Sequence, residues 1–73
     1  MIKDKLIKAL RKKYEADMET ALATIDIYLA NSVGIGEHPQ HIQEIDKQLS
    51  NYCSAKEKLE SLIRHFDDKE IPF

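Results

Sequence analysis

From Ile42 to Phe66 the apolar residues recur at an unbroken heptad spacing. Ile42, Ile45, Leu49, Tyr52, Lys56, Leu59, Ile63 and Phe66 follow one another at steps of 3, 4, 3, 4, 3, 4 and 3. Such a row predicts one long helix that packs along its length against another helix. Lys56 is its only polar member. A second row runs through the first half of the chain. Ile7, Leu10, Tyr14, Met18, Ala21, Ile25 and Tyr28 are separated by 3, 4, 4, 3, 4 and 3, and Leu6, Leu22 and Leu29 widen the stripe. The eleven residues from Ile7 to Met18 imply that this row shifts by part of a turn. Ala9, Ala16, Ala21, Ala23 and Ala30 favour helix by intrinsic propensity.

The first helix is expected over 3–33, ending at Gly34, since glycine accepts the left-handed conformation needed just past a helix C-terminus. The second is expected over 39–66, with Pro39 at a first position where a missing N–H costs nothing. A connection as short as 34–38 makes consecutive helices antiparallel. The tail, 67–73, is polar with an apolar tip. Folding about the middle of the connection sets Tyr28 beside Ile42, Ile25 beside Ile45, Ala21 beside Leu49, Met18 beside Tyr52, Leu10 beside Leu59 and Ile7 beside Ile63. Two rows read independently thus agree on one hairpin. Lys56 then meets Tyr14 within a turn of Asp17. It either pairs with that carboxylate and marks the register, or lays its stem along the seam and sends its ammonium to water. Leu49, facing the small Ala21, is expected to be costly to truncate.

Composition turns this hairpin into an assembly. Seventy-three residues make one domain. A core that small rarely contributes more than about 3–5 kcal/mol and usually needs a disulfide, a metal or association with other chains. Cys53 is the only cysteine, so no disulfide closes within the chain. There is no Cys/His set for structural zinc. Association remains: Ile25, Ile42, Ile45, Leu49, Tyr52, Leu59 and Ile63 form the expected core and oligomer seam, and two hairpins pairing into a four-helix bundle is the expected all-α architecture. No apolar run reaches the roughly 18 residues of a membrane span, and Met1-Ile2-Lys3-Asp4 does not lead into a signal peptide. A soluble intracellular protein is expected, without a membrane partner.

Charge is unevenly placed. Residues 1–13 carry six basic side chains against Asp4 alone, a net of +5, while the remainder carries five basic and twelve acidic side chains, a net of −7. The total of −2 disfavours nucleic acid as a partner. Lys8, Arg11 and Lys12 form a candidate basic face, but no aromatic residue precedes Tyr14 to stack a base. The hairpin sets this stretch beside Glu57, Glu60, Asp67, Asp68 and Glu70, so internal neutralisation is the preferred reading.

Candidate chemistry gathers at the connection. Gly34, Gly36, Glu37, His38 and His41 form the candidate binding loop. A dinucleotide fingerprint needs a preceding strand and a third glycine, whereas here a helix precedes and Pro39 stands where that glycine would be. Free N–H groups at the start of the second helix leave some affinity for an anion. His38, His41 and the neighbouring Glu37 and Glu44 have ligand chemistry, but as polar residues of a helix junction they imply no metal, and no cofactor is expected. No Ser/His/Asp grouping or carboxylate pair has catalytic spacing, so a non-enzymatic role is expected.

The stretches Lys13-Tyr14-Glu15-Ala16-Asp17, Ala23-Thr24-Ile25-Asp26-Ile27-Tyr28-Leu29 and Val33-Gly34-Ile35-Gly36-Glu37-His38-Pro39 resemble a group of small proteins of marine tailed bacteriophages, cyanophages included. The similarity runs from about Leu6 to Phe66, and the Val-Gly-Ile-Gly-Glu-His-Pro loop is its most specific part. The group carries no assigned activity, so the resemblance implies a setting, the cytoplasm of an infected bacterium or the virion. The leading expectation is an accessory protein that self-associates and binds another protein, a host factor or a virion component. Two alternatives stand beside it: an oligomer that sequesters a nucleotide or other anion, and a nucleic-acid-associated protein using the basic first helix.

Overall fold

Thirty residues with no glycine or proline form the first helix, α1 (Ile2–Asn31), and the second, α2 (Pro39–Phe66), begins at proline. The structure, a computed structural model, describes residues 2–31 and 39–66. The protein is all-α: among the described residues there are two helices and no strand, packed on each other as a hairpin. A local ion pair supports α1: Lys13 Nζ donates to the Asp17 carboxylate at 3.0 Å, one turn on, on exposed surface where such a pair contributes about 0.2–0.5 kcal/mol. The Thr24 hydroxyl donates to the Thr20 carbonyl at 2.8 Å, a bond to the preceding turn that adds nothing to helix stability. The last turn of α2 carries Arg64 and His65, of the sign that suits a helix C-terminus.

Two contacts give the direction and register of the pairing. The ring of Tyr28, late in α1, meets that of His41, early in α2, edge-on with centroids 5.6 Å apart. Tyr14, in the first half of α1, has the Lys58 ammonium 6.0 Å from its ring centroid, late in α2. The helices are therefore antiparallel, and the register agrees with the sequence pairing to within one to two residues.

Half-buried and buried positions trace the seam. On α1 they include Ile7, Arg11, Tyr14, Met18, Ala21, Ile25 and Tyr28, a regular heptad row. Leu10, expected in this row, is exposed, and Arg11 holds the place instead; a long stem can line a seam while its guanidinium reaches water. With Arg11 in the row, the part-turn shift expected between Ile7 and Met18 does not occur.

On α2 the seam differs from the sequence expectation. It runs through His41, Ile45, Gln48, Tyr52, Ala55, Leu59 and Leu62, with Glu44, Glu60 and Ile63 also partly or fully covered. Ile45, Tyr52 and Leu59 are shared with the expected row. Ile42, Leu49 and Lys56 are not: Ile42 is 74% exposed, Leu49 is 49% exposed, and Lys56 is exposed. The helix is turned about its own axis by about 50° relative to the heptad reading. Small residues explain why. Ala21 is 1% exposed and Ala55 is 4% exposed, the two most buried side chains described, and an alanine at mid-seam on each helix lets the backbones approach closely. Leu49 therefore does not face Ala21; Gln48 takes that place in the register, and Ala55 lies one heptad along, opposite Tyr14. Leu62, which the heptad reading leaves beside the seam, is buried with Ile63.

Candidate functional site

Because the helices run in opposite directions, residues following a seam position on α1 and on α2 fall on the same side of the hairpin. Those preceding it fall together on the other side. The two sides differ in chemistry.

One side is a polar groove of about 270 Å³ lined by Asp17, Thr20 and Ala21 of α1 and by Gln48, Asn51, Ser54, Ala55 and Lys58 of α2. The Asn51 side-chain amide donates to Gln48 Oε1 at 3.4 Å. Asp17 belongs to this side and is held by Lys13, so the Lys56–Asp17 pair considered from the sequence does not form: Lys56 lies on the opposite side. Tyr14 borders the groove with the Lys13 and Lys58 ammonium groups each 6.0 Å from its ring centroid. Cation–ring contacts at such exposed positions contribute about 0.5–1 kcal/mol.

The other side is apolar over half its length. α1 presents Lys8, Glu15, Leu22 and Leu29 there, and α2 presents Ile42, Leu49, Lys56 and Ile63. All but Ile63 are exposed. The register sets them in layers across the hairpin: Leu29 beside Ile42, Leu22 beside Leu49, Glu15 beside Lys56 and Lys8 beside Ile63. Towards the connection the surface is thus a continuous patch of four large aliphatic side chains, the kind of patch that marks an association site. Cys53, a free exposed thiol, lies at its edge. Further exposed apolar residues are Ile2, Leu6, Leu10 and Phe66, towards the open end, and Ile27.

The residues expected to form sites are separated by this arrangement. Gly34, Gly36, Glu37 and His38 of the candidate loop lie outside the described residues, as does the tail 67–73. His41 is half-buried in the seam against Tyr28, a packing position. Of the candidate basic face, Lys8 and Lys12 are exposed on the apolar side, at the end away from its patch, and Arg11 is half-buried between the helices. Among the described residues, no group of three or more His, Cys, Asp or Glu is placed to hold a metal. Leu22 and Leu29 carry more of the surface than the sequence reading assigned to them. Their signal was present as the residues that widen the first stripe beyond what one seam covers.

Lys56 interrupts the α2 row between exposed Leu49 and buried Ile63, which gives a prediction. Lys56→Leu extends the apolar surface, so a higher thermal midpoint is expected, together with mixed oligomers in sedimentation as the one charged marker of register on α2's row is lost. A lower midpoint would show that Lys56 is held by a carboxylate, with Glu15 across the hairpin the first suspect.

Comparison of the chain with protein-family models, with curated proteins and with solved structures gave no match.

Proposed function

We propose that this chain is a non-enzymatic bacteriophage accessory protein whose hairpins self-associate into a four-helix bundle that binds another protein, a host factor or a virion component. The observation that carries the reading is the apolar side. Leu22, Leu29, Ile42 and Leu49 are exposed together on a hairpin in which only Ala21, Ala55, Leu62 and Ile63 are buried among the described residues. Two helices bury a single seam, and so thin a core is expected to need a second layer for a stable fold. The resemblance of the Val33–Pro39 stretch to small phage proteins supports the setting, the infected cytoplasm or the virion. Among the described residues no helix is long and apolar enough to cross a membrane.

Sedimentation equilibrium over nanomolar to micromolar concentrations tests the self-association. A dimer or higher oligomer is expected for the natural chain, and dissociation into monomers for Leu22→Asp/Leu49→Asp, which places carboxylates in the patch. A folded 8.4 kDa monomer throughout that range would reject the reading. Affinity capture from infected cells then identifies the second partner.

A further inference from the structure

Resting on the self-association proposed above, we infer that the second copy docks on the apolar side with the twofold axis running lengthwise along the hairpin, so that each α1 lies against the partner chain's α2. A closed dimer that uses one side of both copies is isologous, and two orientations of its axis bring that side face to face. With the axis across the hairpin, α1 meets the other α1 end for end. Full overlap then lays the aliphatic half of one chain on the Lys8, Glu15 and Lys56 half of the other; matching the aliphatic halves confines the contact to the ends near the connection. With the axis lengthwise, the layers seen within one hairpin repeat between the two. Leu22 meets the partner's Leu49, Leu29 meets the partner's Ile42, and Glu15 meets the partner's Lys56, each pair twice. At the rim Lys12 falls opposite the partner's Glu60. The one opposed pair, Asp26 with the partner's Asp46, also lies at the rim, where water and salt screen it.

A standard stable interface buries roughly 800 Å² per partner, and contact along both helices, rather than at one end, uses every exposed residue of the apolar side.

Charge reversal at the central layer tests the arrangement. Glu15→Lys sets lysines against lysines between copies, and Lys56→Glu sets glutamates against glutamates. Each variant alone is expected to dimerise at least about tenfold more weakly, since like charges across an interface are strongly disfavoured. An equimolar mixture is expected to form a heterodimer at least as tight as the natural dimer, read by sedimentation with helix content followed by circular dichroism. The orientation is read separately by Glu19→Cys, which the lengthwise axis places beside the partner's Cys53. Mild oxidation is expected to give a covalent dimer linked 19 to 53, mapped by peptide mass. A dimer that forms without this cross-link, or that ignores both charge reversals, overturns the arrangement while leaving self-association standing. A monomer at every concentration overturns both.

Discussion

Leu62→Ala is expected to lower stability by about 2–5 kcal/mol, the range for removing most of a buried leucine side chain from a packed core. Leu62 and Ile63 are each 8% exposed and are the largest buried side chains among the described residues. They close the open end of the hairpin, where Leu62 continues the row of Leu59 and Ala55 towards Ile7. A domain of this size holds about 3–5 kcal/mol in its core, so the change is expected to leave much of the chain unfolded at 25 °C. Urea titration followed by circular dichroism measures it. A midpoint that barely moves would mean that this end of the seam is open to water. Leu49→Ala is the informative comparison. The heptad row alone ranks it among the most damaging substitutions, but its half-exposed side chain gives it little to lose within one hairpin. Under the self-association proposed above, its cost is expected to grow with protein concentration, because the patch it truncates is the proposed contact between copies.

The second large effect acts in the opposite sense on volume. Ala21→Leu inserts three carbons between the two helices, at the most buried position described. Overpacking of this kind costs about 1–3 kcal/mol through shifted backbones and strained rotamers. It is expected to push Gln48 away and to open the polar groove that both residues line. The check is the same titration with Ala23→Leu as control, on the exposed surface of the same helix, where leucine is tolerated. Equal midpoints for the two variants would show that the helices do not approach through their alanines.

These two substitutions separate what is local in this fold from what is not. Two helices, their antiparallel pairing as a hairpin and most of the α1 row were legible from the chain, because period and alanine content act over a few residues at a time. Ile7, Tyr14, Met18, Ala21, Ile25 and Tyr28 all take the seam positions that their spacing assigns. The rotation of α2 was not legible. Its apolar stripe spans both the row of Ile42, Leu49 and Ile63 and that of Ala55 and Leu62, and a stripe wider than one seam has no unique direction. The short side chains of Ala21 and Ala55 at mid-seam select between them, because each lets the facing helix come close, and the residues they face, Gln48 and Tyr14, are far from them in the chain. Polar His41 and Gln48 hid the true row from a count of apolar residues. The sides of the hairpin follow from the same rotation. Only once α2 is turned do Leu22, Leu29, Ile42 and Leu49 share one face while Asp17, Asn51 and Lys58 share the other. The amino-acid sequence by itself therefore determined that two amphipathic helices pair, since periodicity is a property of each helix alone. Which apolar residues they bury in each other and which they leave exposed was decided by the tertiary structure, because that choice belongs to the contact between them.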